Sequence, residues 1–273
     1  MAKVICSETL DFFLFDVFDA NQVLEFDRFK EYDKTSIELF FQSIRDIAEN
    51  ELLPIYSKMD KEKAYFKDGK VHVLPELGKA VRAIADSGII GALDSFENGG
   101  IQLPYCITNT ALSVLYAANP NATPYATLTQ GAANLISAFG SQELKDKYLE
   151  KMFSWEWQGT MALTEPEAGS SLAHIISEAT LLEDGNYNIK GQKIYISAGD
   201  HDQTENIIHL LLARIKGAPK GTKGISLFVV PKFLPEDEAL KDNDVLTAVI
   251  YGKMGQKGYT AAHLMFGEHG KCK

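Results

Sequence analysis

The sequence predicts an α+β fold, with an all-α helical domain over residues 1–155 and an antiparallel β-barrel or sandwich domain over residues 156–273. Three observations lead there. Up to about residue 155, apolar residues recur every three or four positions, the period of a helix with one buried face. After Trp155 the period shortens to that of strands, with apolar runs punctuated by Gly, Asn, Asp and Pro. A run of helices followed by a run of strands implies segregated layers or two domains, and 273 residues suffice for both.

The aromatic run at 10–18, LDFFLFDVF, fits either a short strand or a helix start, and its phenylalanines are expected to pin it onto the main body. A helix over about 34–58 has Asp33 or Thr35 as its cap. Ile37, Phe40, Phe41, Ile44, Ile47 and Leu52 form its apolar stripe, and Pro54 is expected to kink or end it. Residues 58–71 are charged and close on the turn signal Asp68-Gly69. Pro75 opens a helix running to about Asp86, with Gly88 as the terminating residue. Pro104 opens another through Ala117, a small-residue helix follows at 122–138, and Ser141 caps the next. The expected strands are 158–163, 175–182, 186–190, 192–197, 206–215, 224–230 and 245–251. Asp184-Gly185-Asn186 and the 216–223 loop read as hairpin connections.

Composition excludes several classes. The net charge of −10 and pI near 5.1 argue against a nucleic-acid partner, which would require a basic face. Cys6, Cys106 and Cys272 show no metal-ligand spacing, and thiols kept reduced are the expectation. Charge near Met1–Lys3 is followed by an apolar run that Ser7, Glu8 and Asp11 interrupt, so no signal peptide is read. No apolar run reaches a membrane span, and a cytoplasmic protein is expected.

Chemistry concentrates in residues 159–171, GTMALTEPEAGSS. Met161, Ala162 and Leu163 read as the end of a buried strand, and Pro166 stops the ladder. Ala168, Gly169, Ser170 and Ser171 then offer backbone N–H groups and two hydroxyls, which suits a phosphate or a ring edge. Other sites lack their motifs. The six histidines include no H-E-x-x-H pair, and His201, Asp202 and Glu205 sit in a polar loop and are not read as metal ligands. Neither a G-x-S-x-G elbow nor a strand-linked G-x-G-x-x-G is present. The 216–223 loop lacks the phosphate-loop spacing and has strands on both sides.

The order A-L-T-E-P-x-A-G-S resembles the signature of the acyl-CoA dehydrogenase family. Two further stretches, Lys193–Gly199 (KIYISAG) and Gly252-Lys253-Met254-Gly255 with Gly258, follow in the family's order. The segments SAGDHD and GTKGISLFVVPK are most similar to the branch that includes 3-methylmercaptopropionyl-CoA dehydrogenases. The resemblance implies FAD as cofactor, an acyl-CoA substrate desaturated between its α and β carbons, a homo-oligomer, and an electron-transfer flavoprotein as electron acceptor. Matched position by position, it places Met161, Leu163, Thr164 and Gly169 along the flavin and its pyrophosphate, and Ser170 against FAD or the pantetheine arm of CoA. Tyr195 and Ser197 would face the isoalloxazine. Ser171 stands where the family commonly has Asp, and His174 where a small residue is usual, which puts the loop geometry in question. The family's third, C-terminal helical domain and its glutamate base have no counterpart in these 273 residues. The expectation is therefore a truncated piece, inactive alone, with no catalytic residue and no metal ligand assigned. The competing expectation is a non-catalytic CoA-ligand-binding or subunit-assembly module, with a bare apolar β face that favours self-association.

Overall fold

The computed structural model describes residues 4–236 and 239–273, so the Met1–Lys3 stretch lies outside the described residues. The chain forms two compact units, one of residues 1–62 and 74–155 and the other of 63–73 and 156–273.

The first unit is helical. Its N-terminal segment is helical rather than extended: α1 (Ser7–Asp11) runs into a π-helical stretch over Phe12–Val17. Leu14 and Phe15 of this stretch are buried, whereas Phe12, Phe13 and Phe18 remain exposed. The short α2 (Asn21–Leu24) follows. Helix α3 (Lys34–Ile47) begins at a capping box in which the Asp33 carboxylate accepts from Ser36 N and the Ser36 hydroxyl accepts from Asp33 N. Its Ile37, Phe41 and Ile44 are buried, and each such side chain contributes roughly 1.5–3 kcal/mol. The single helix expected over 34–58 is interrupted by a π-helical turn at Ala48–Leu52 before α4 (Leu53–Lys61). Pro54 lies in the first turn of α4, where its missing N–H costs nothing. Helices α5 (Pro75–Asp86), α6 (Tyr105–Ala118), α7 (Thr123–Phe139) and α8 (Gln142–Phe153) complete the bundle. Gly88 adopts φ +80° after α5, and the Ser141 hydroxyl accepts from Leu144 N at the start of α8. No helix among the described residues is long and apolar enough to cross a membrane.

The second unit is a curled sheet with two hairpins. Strands β1 (Tyr65–Lys67) and β2 (Lys70–His72) pair around Asp68 and Gly69, both at positive φ, as a two-residue turn requires. This hairpin, read from sequence as a charged turn within the helical domain, groups with the sheet. Asp202 clasps it: its carboxylate lies 2.8 Å from His72 Nδ1 and accepts from Val73 N. The sheet contains β3 (Trp157–Ala162), β4 (Glu178–Leu181), β5 (Tyr187–Ser197), β6 (Asn206–Ile215), β7 (Ile225–Pro231), β10 (Val245–Ile250) and β11 (Ala261–Phe266). Strands β8 (Phe233–Glu236) and β9 (Ala239–Asp242) form a separate hairpin. The strand order is β10-β11-β5-β4-β6-β3, with β7 also on β6.

The antiparallel barrel expected from sequence is corrected on two points. β3 and β4 both run parallel to β6, so the sheet is mixed, and its ladder is open rather than closed into a barrel. Alternation of side chains fixes which face is buried but not strand direction; direction follows from the connections. Here the β4–β5 hairpin intervenes between β3 and β6 and returns the chain in its original sense. The near-continuous apolar run of β6, buried at its first six positions, is the pattern of a central strand covered on both faces. The two strands expected at 186–190 and 192–197 are one continuous β5. The inner face packs Ile189, Ile196, Leu211, Val230, Leu264 and Phe266 into one core.

Candidate functional site

The turn that follows β3 is built on a buried ion pair. The chain leaves the ladder at Ala162, and Glu165 and Ala168 exchange backbone hydrogen bonds of 3.0 and 3.1 Å. Pro166 and Glu167 are thereby set at an exposed tip, while the Glu165 side chain turns inward. Its carboxylate accepts from Ile176 N at 2.7 Å, Ser177 N at 3.1 Å and Lys193 Nζ at 2.8 Å. The two charged side chains are 1% and 0% exposed, so neither reaches solvent. Lys193 spends its remaining donors on Leu163 O (3.1 Å) and Leu212 O (2.6 Å). Burial alone would raise the Glu165 pKa, but the Lys193 ammonium and the two backbone N–H groups outweigh it and hold the carboxyl below its ordinary range.

β5 reaches the same turn, because Ile194 N donates to Thr164 O at 2.9 Å. The next residue, Tyr195, stands on a β-bulge. Between the pairs Lys193↔Leu264 and Ile196↔Ala262, two residues of β5 oppose one of β11. Tyr195 takes up the distortion at φ +58°, a left-handed conformation rare for an aromatic residue. A bulge re-aims a side chain, and Tyr195 is accordingly 59% exposed between the buried Ile194 and Ile196. Its ring lies 4.4 Å from that of Tyr251, which in turn stacks at 6.3 Å on His263.

The residues expected at the site divide into three groups. Met161, Leu163 and Thr164 are half-buried along the end of β3. Gly169 and Ser170 lie on the exposed limb of the turn, and among the described residues neither backbone N–H has a protein acceptor. Tyr195 is exposed and Ser197 half-buried on β5, tied to the first group through Thr164 and Lys193. The sequence reading passed over the Glu165–Lys193 pair, although a glutamate before a proline at a buried strand end and a lysine inside an apolar strand were its two visible signs. Tyr251 was also missed, since its neighbourhood with Tyr195 depends on the β5–β11–β10 order. In the third motif, Met254 is fully exposed and the Lys253 ammonium lies 4.3 Å over the Tyr259 ring. Burial draws the Lys253 pKa down to about 8. His201 is buried and Asp202 is engaged with His72. Among the described residues no group of three or more His, Cys, Asp or Glu is placed to hold a metal.

Gly169 tests whether an external group belongs here. Its backbone is not in the left-handed region, and a Cβ added to it would meet nothing within 4 Å. Neither backbone strain nor protein packing asks for glycine at this position, which leaves the Gly169 backbone open to a group from outside. Two exposed N–H groups without a protein acceptor suit an anionic group.

The sequence matches two family models, "Acyl-CoA dehydrogenase, N-terminal domain" over residues 35–156 and "Acyl-CoA dehydrogenase, middle domain" over residues 160–268. It is 34% identical over 261 residues to a butyryl-CoA dehydrogenase of Syntrophomonas wolfei, covering 93% of this chain and 43% of that protein. It is 41% identical over 184 residues to the 3-methylmercaptopropionyl-CoA dehydrogenase of Ruegeria pomeroyi, covering 67% of this chain and 31% of that protein. The chain thus spans less than half the length of these relatives. The fold is similar to that of butyryl-CoA dehydrogenase from Megasphaera elsdenii, with a TM-score of 0.66 at 23% identity, covering 86% of this chain and 56% of the other. It is likewise similar to an acyl-CoA dehydrogenase complexed with FAD from Bacillus anthracis, with a TM-score of 0.68 at 24% identity over 86% and 37% of the two chains.

Proposed function

Because the chain belongs to the acyl-CoA dehydrogenase family, we propose that it forms the cofactor-holding part of an FAD-dependent enzyme that desaturates an acyl-CoA thioester. The observation that carries this reading is the exposed Gly169–Ser170 limb of a turn whose Thr164 O is bound by Ile194 N, next in sequence to the outward Tyr195. Under it, the N–H groups of Gly169 and Ser170 bind the pyrophosphate, with the Ser170 hydroxyl reaching the diphosphate or the pantetheine arm. Met161, Leu163 and the Thr164 backbone line one edge of the flavin ring. The Tyr195 ring walls its face, and the Ser197 hydroxyl donates toward the N5 edge. The bound flavin supplies the acceptor for a hydride from the substrate's β-carbon; the protein groups orient the ring and tune its electron affinity.

No residue of the chain is assigned as the base that removes the α-proton. Glu165, the carboxylate built into the turn, is held ionised but inside an ion pair with every oxygen engaged, so it cannot approach a substrate. The electron acceptor in this reading is an electron-transfer flavoprotein, and the assembly is a homo-oligomer. Titration of the chain with FAD tests the reading: saturable quenching of flavin fluorescence is expected, without acyl-CoA-dependent dye reduction by the chain alone. Absence of flavin binding at micromolar protein would remove the cofactor assignment, and dye reduction by the chain alone would require a base within it.

A further inference from the structure

We propose that the Lys193–Glu165 ion pair is a positioning element that sets the flavin-side turn 163–171 against the strand carrying Tyr195 and Ser197. The inference rests on the flavin reading above and adds what fixes the geometry of that site.

The two side chains join four segments of backbone. Lys193 Nζ holds Leu163 O at the end of β3, the Glu165 carboxylate in the turn and Leu212 O on β6, at 3.1, 2.8 and 2.6 Å. Glu165 in turn takes the N–H groups of Ile176 and Ser177, where the chain re-enters the core beyond the loop. All three ammonium donors are used, and both carboxylate oxygens are engaged. Beyond this pair, the turn is held by Ile194 N donating to Thr164 O at 2.9 Å, by the Glu165–Ala168 backbone bonds and, just past it, by Arg214 Nη2 donating to Ala173 O at 3.3 Å. Gly169, Ser170 and Ser171 themselves stay exposed.

A fully buried ion pair is a poor way to gain stability, because the desolvation of both charges offsets their attraction, and apolar residues of similar volume often do as well. What an apolar pair cannot do is fix two carbonyls and two amides from separate segments at bonding distance. Lys193 lies two residues before Tyr195, and Glu165 lies four before Gly169. The pair therefore bridges the two limbs of the site without touching the ligand. Positioning within a fraction of an ångström matters for a ring clamped between them.

The test compares the 273-residue chain with Glu165→Gln and with the double variant Lys193→Met/Glu165→Met. Each is titrated with FAD, and amide exchange at Ile176 and Ser177 is followed in the flavin-free protein. The double variant removes both charges together and is expected to melt within a few degrees of the parent. Both variants are expected to bind FAD about tenfold more weakly or worse, to blur the absorption fine structure of the bound flavin, and to lose protection at both amides. A folded double variant with unchanged FAD affinity and unchanged flavin spectrum would overturn the positioning role while leaving the flavin reading intact. If the double variant does not fold, Glu165→Gln decides by the same two readouts. If the parent chain itself binds no FAD, the flavin reading fails and takes the positioning role with it.

Discussion

Thr160 Oγ1 and His209 Nδ1 lie 2.7 Å apart across the parallel β3–β6 pair, with both side chains wholly buried. Burial, with the charge of Lys232 adding to it, draws the His209 pKa down to about 3. Burial likewise draws His201 down to about 4, with Lys232 adding and the carboxylates of Asp200 and Asp202 opposing. Both imidazoles are neutral in the folded protein and protonate on unfolding once the pH falls below the ordinary value of 6.5. The unfolded chain then binds more protons, so stability is complete above about pH 6.5 and is lost toward pH 4 for His201 and pH 3 for His209. Each histidine costs about 1.4 kcal/mol per pH unit within its window. Urea unfolding between pH 6.5 and 5, above the range of ordinary carboxylates, reads this slope. His209→Gln is expected to reduce it by one proton. Equal slopes in parent and variant would mean that His209 titrates alike in both states.

Replacement of Gly169 by alanine separates ligand approach from packing. The φ angle is acceptable to alanine and the added methyl meets no atom within 4 Å. Folding stability should therefore hold or rise by about 0.4–1 kcal/mol, as the unfolded chain loses freedom. FAD affinity should fall about tenfold if the pyrophosphate lies against this backbone. Denaturant unfolding and flavin titration on the same sample measure both. Unchanged affinity would show that no ligand comes close at residue 169.

The division between what sequence and structure reveal follows the range of the interactions. Ser141, Gly88, Pro75 and the Asp184-Gly185 turn were readable because capping, left-handed backbone and turn formation are settled within a few residues. The parallel pairing of β3 with β6 was not, since its partners are 49 positions apart, as Thr160↔His209 shows, and alternation carries no direction. Pro235 helped hide the β8–β9 hairpin, because proline inside an apolar run argues against a strand. The residues expected at the candidate site came from the family resemblance that short, locally ordered motifs carry. The Lys193–Glu165 contact that joins them spans 28 positions and became visible only when the strands were placed.

The conformation of Tyr195 allows its cost to the fold to be measured directly. A left-handed backbone costs a non-glycine residue roughly 1–2 kcal/mol, and Tyr195 sits at φ +58°. Its exposed ring recovers little by burial. The contact with Tyr251 at 4.4 Å returns about 0.5–1.5 kcal/mol. These two effects nearly cancel, so Tyr195→Gly should unfold within about 1 kcal/mol of the parent even though an aromatic side chain is lost. If the ring walls the flavin, the same variant should bind FAD at least about tenfold more weakly, and Tyr195→Trp should preserve binding by keeping an aromatic face at the bulge. A loss of several kcal/mol in Tyr195→Gly would make the residue part of the structural core. Unchanged flavin affinity would place the isoalloxazine elsewhere, leaving the Tyr195–Tyr251 pair as a surface contact between neighbouring strands.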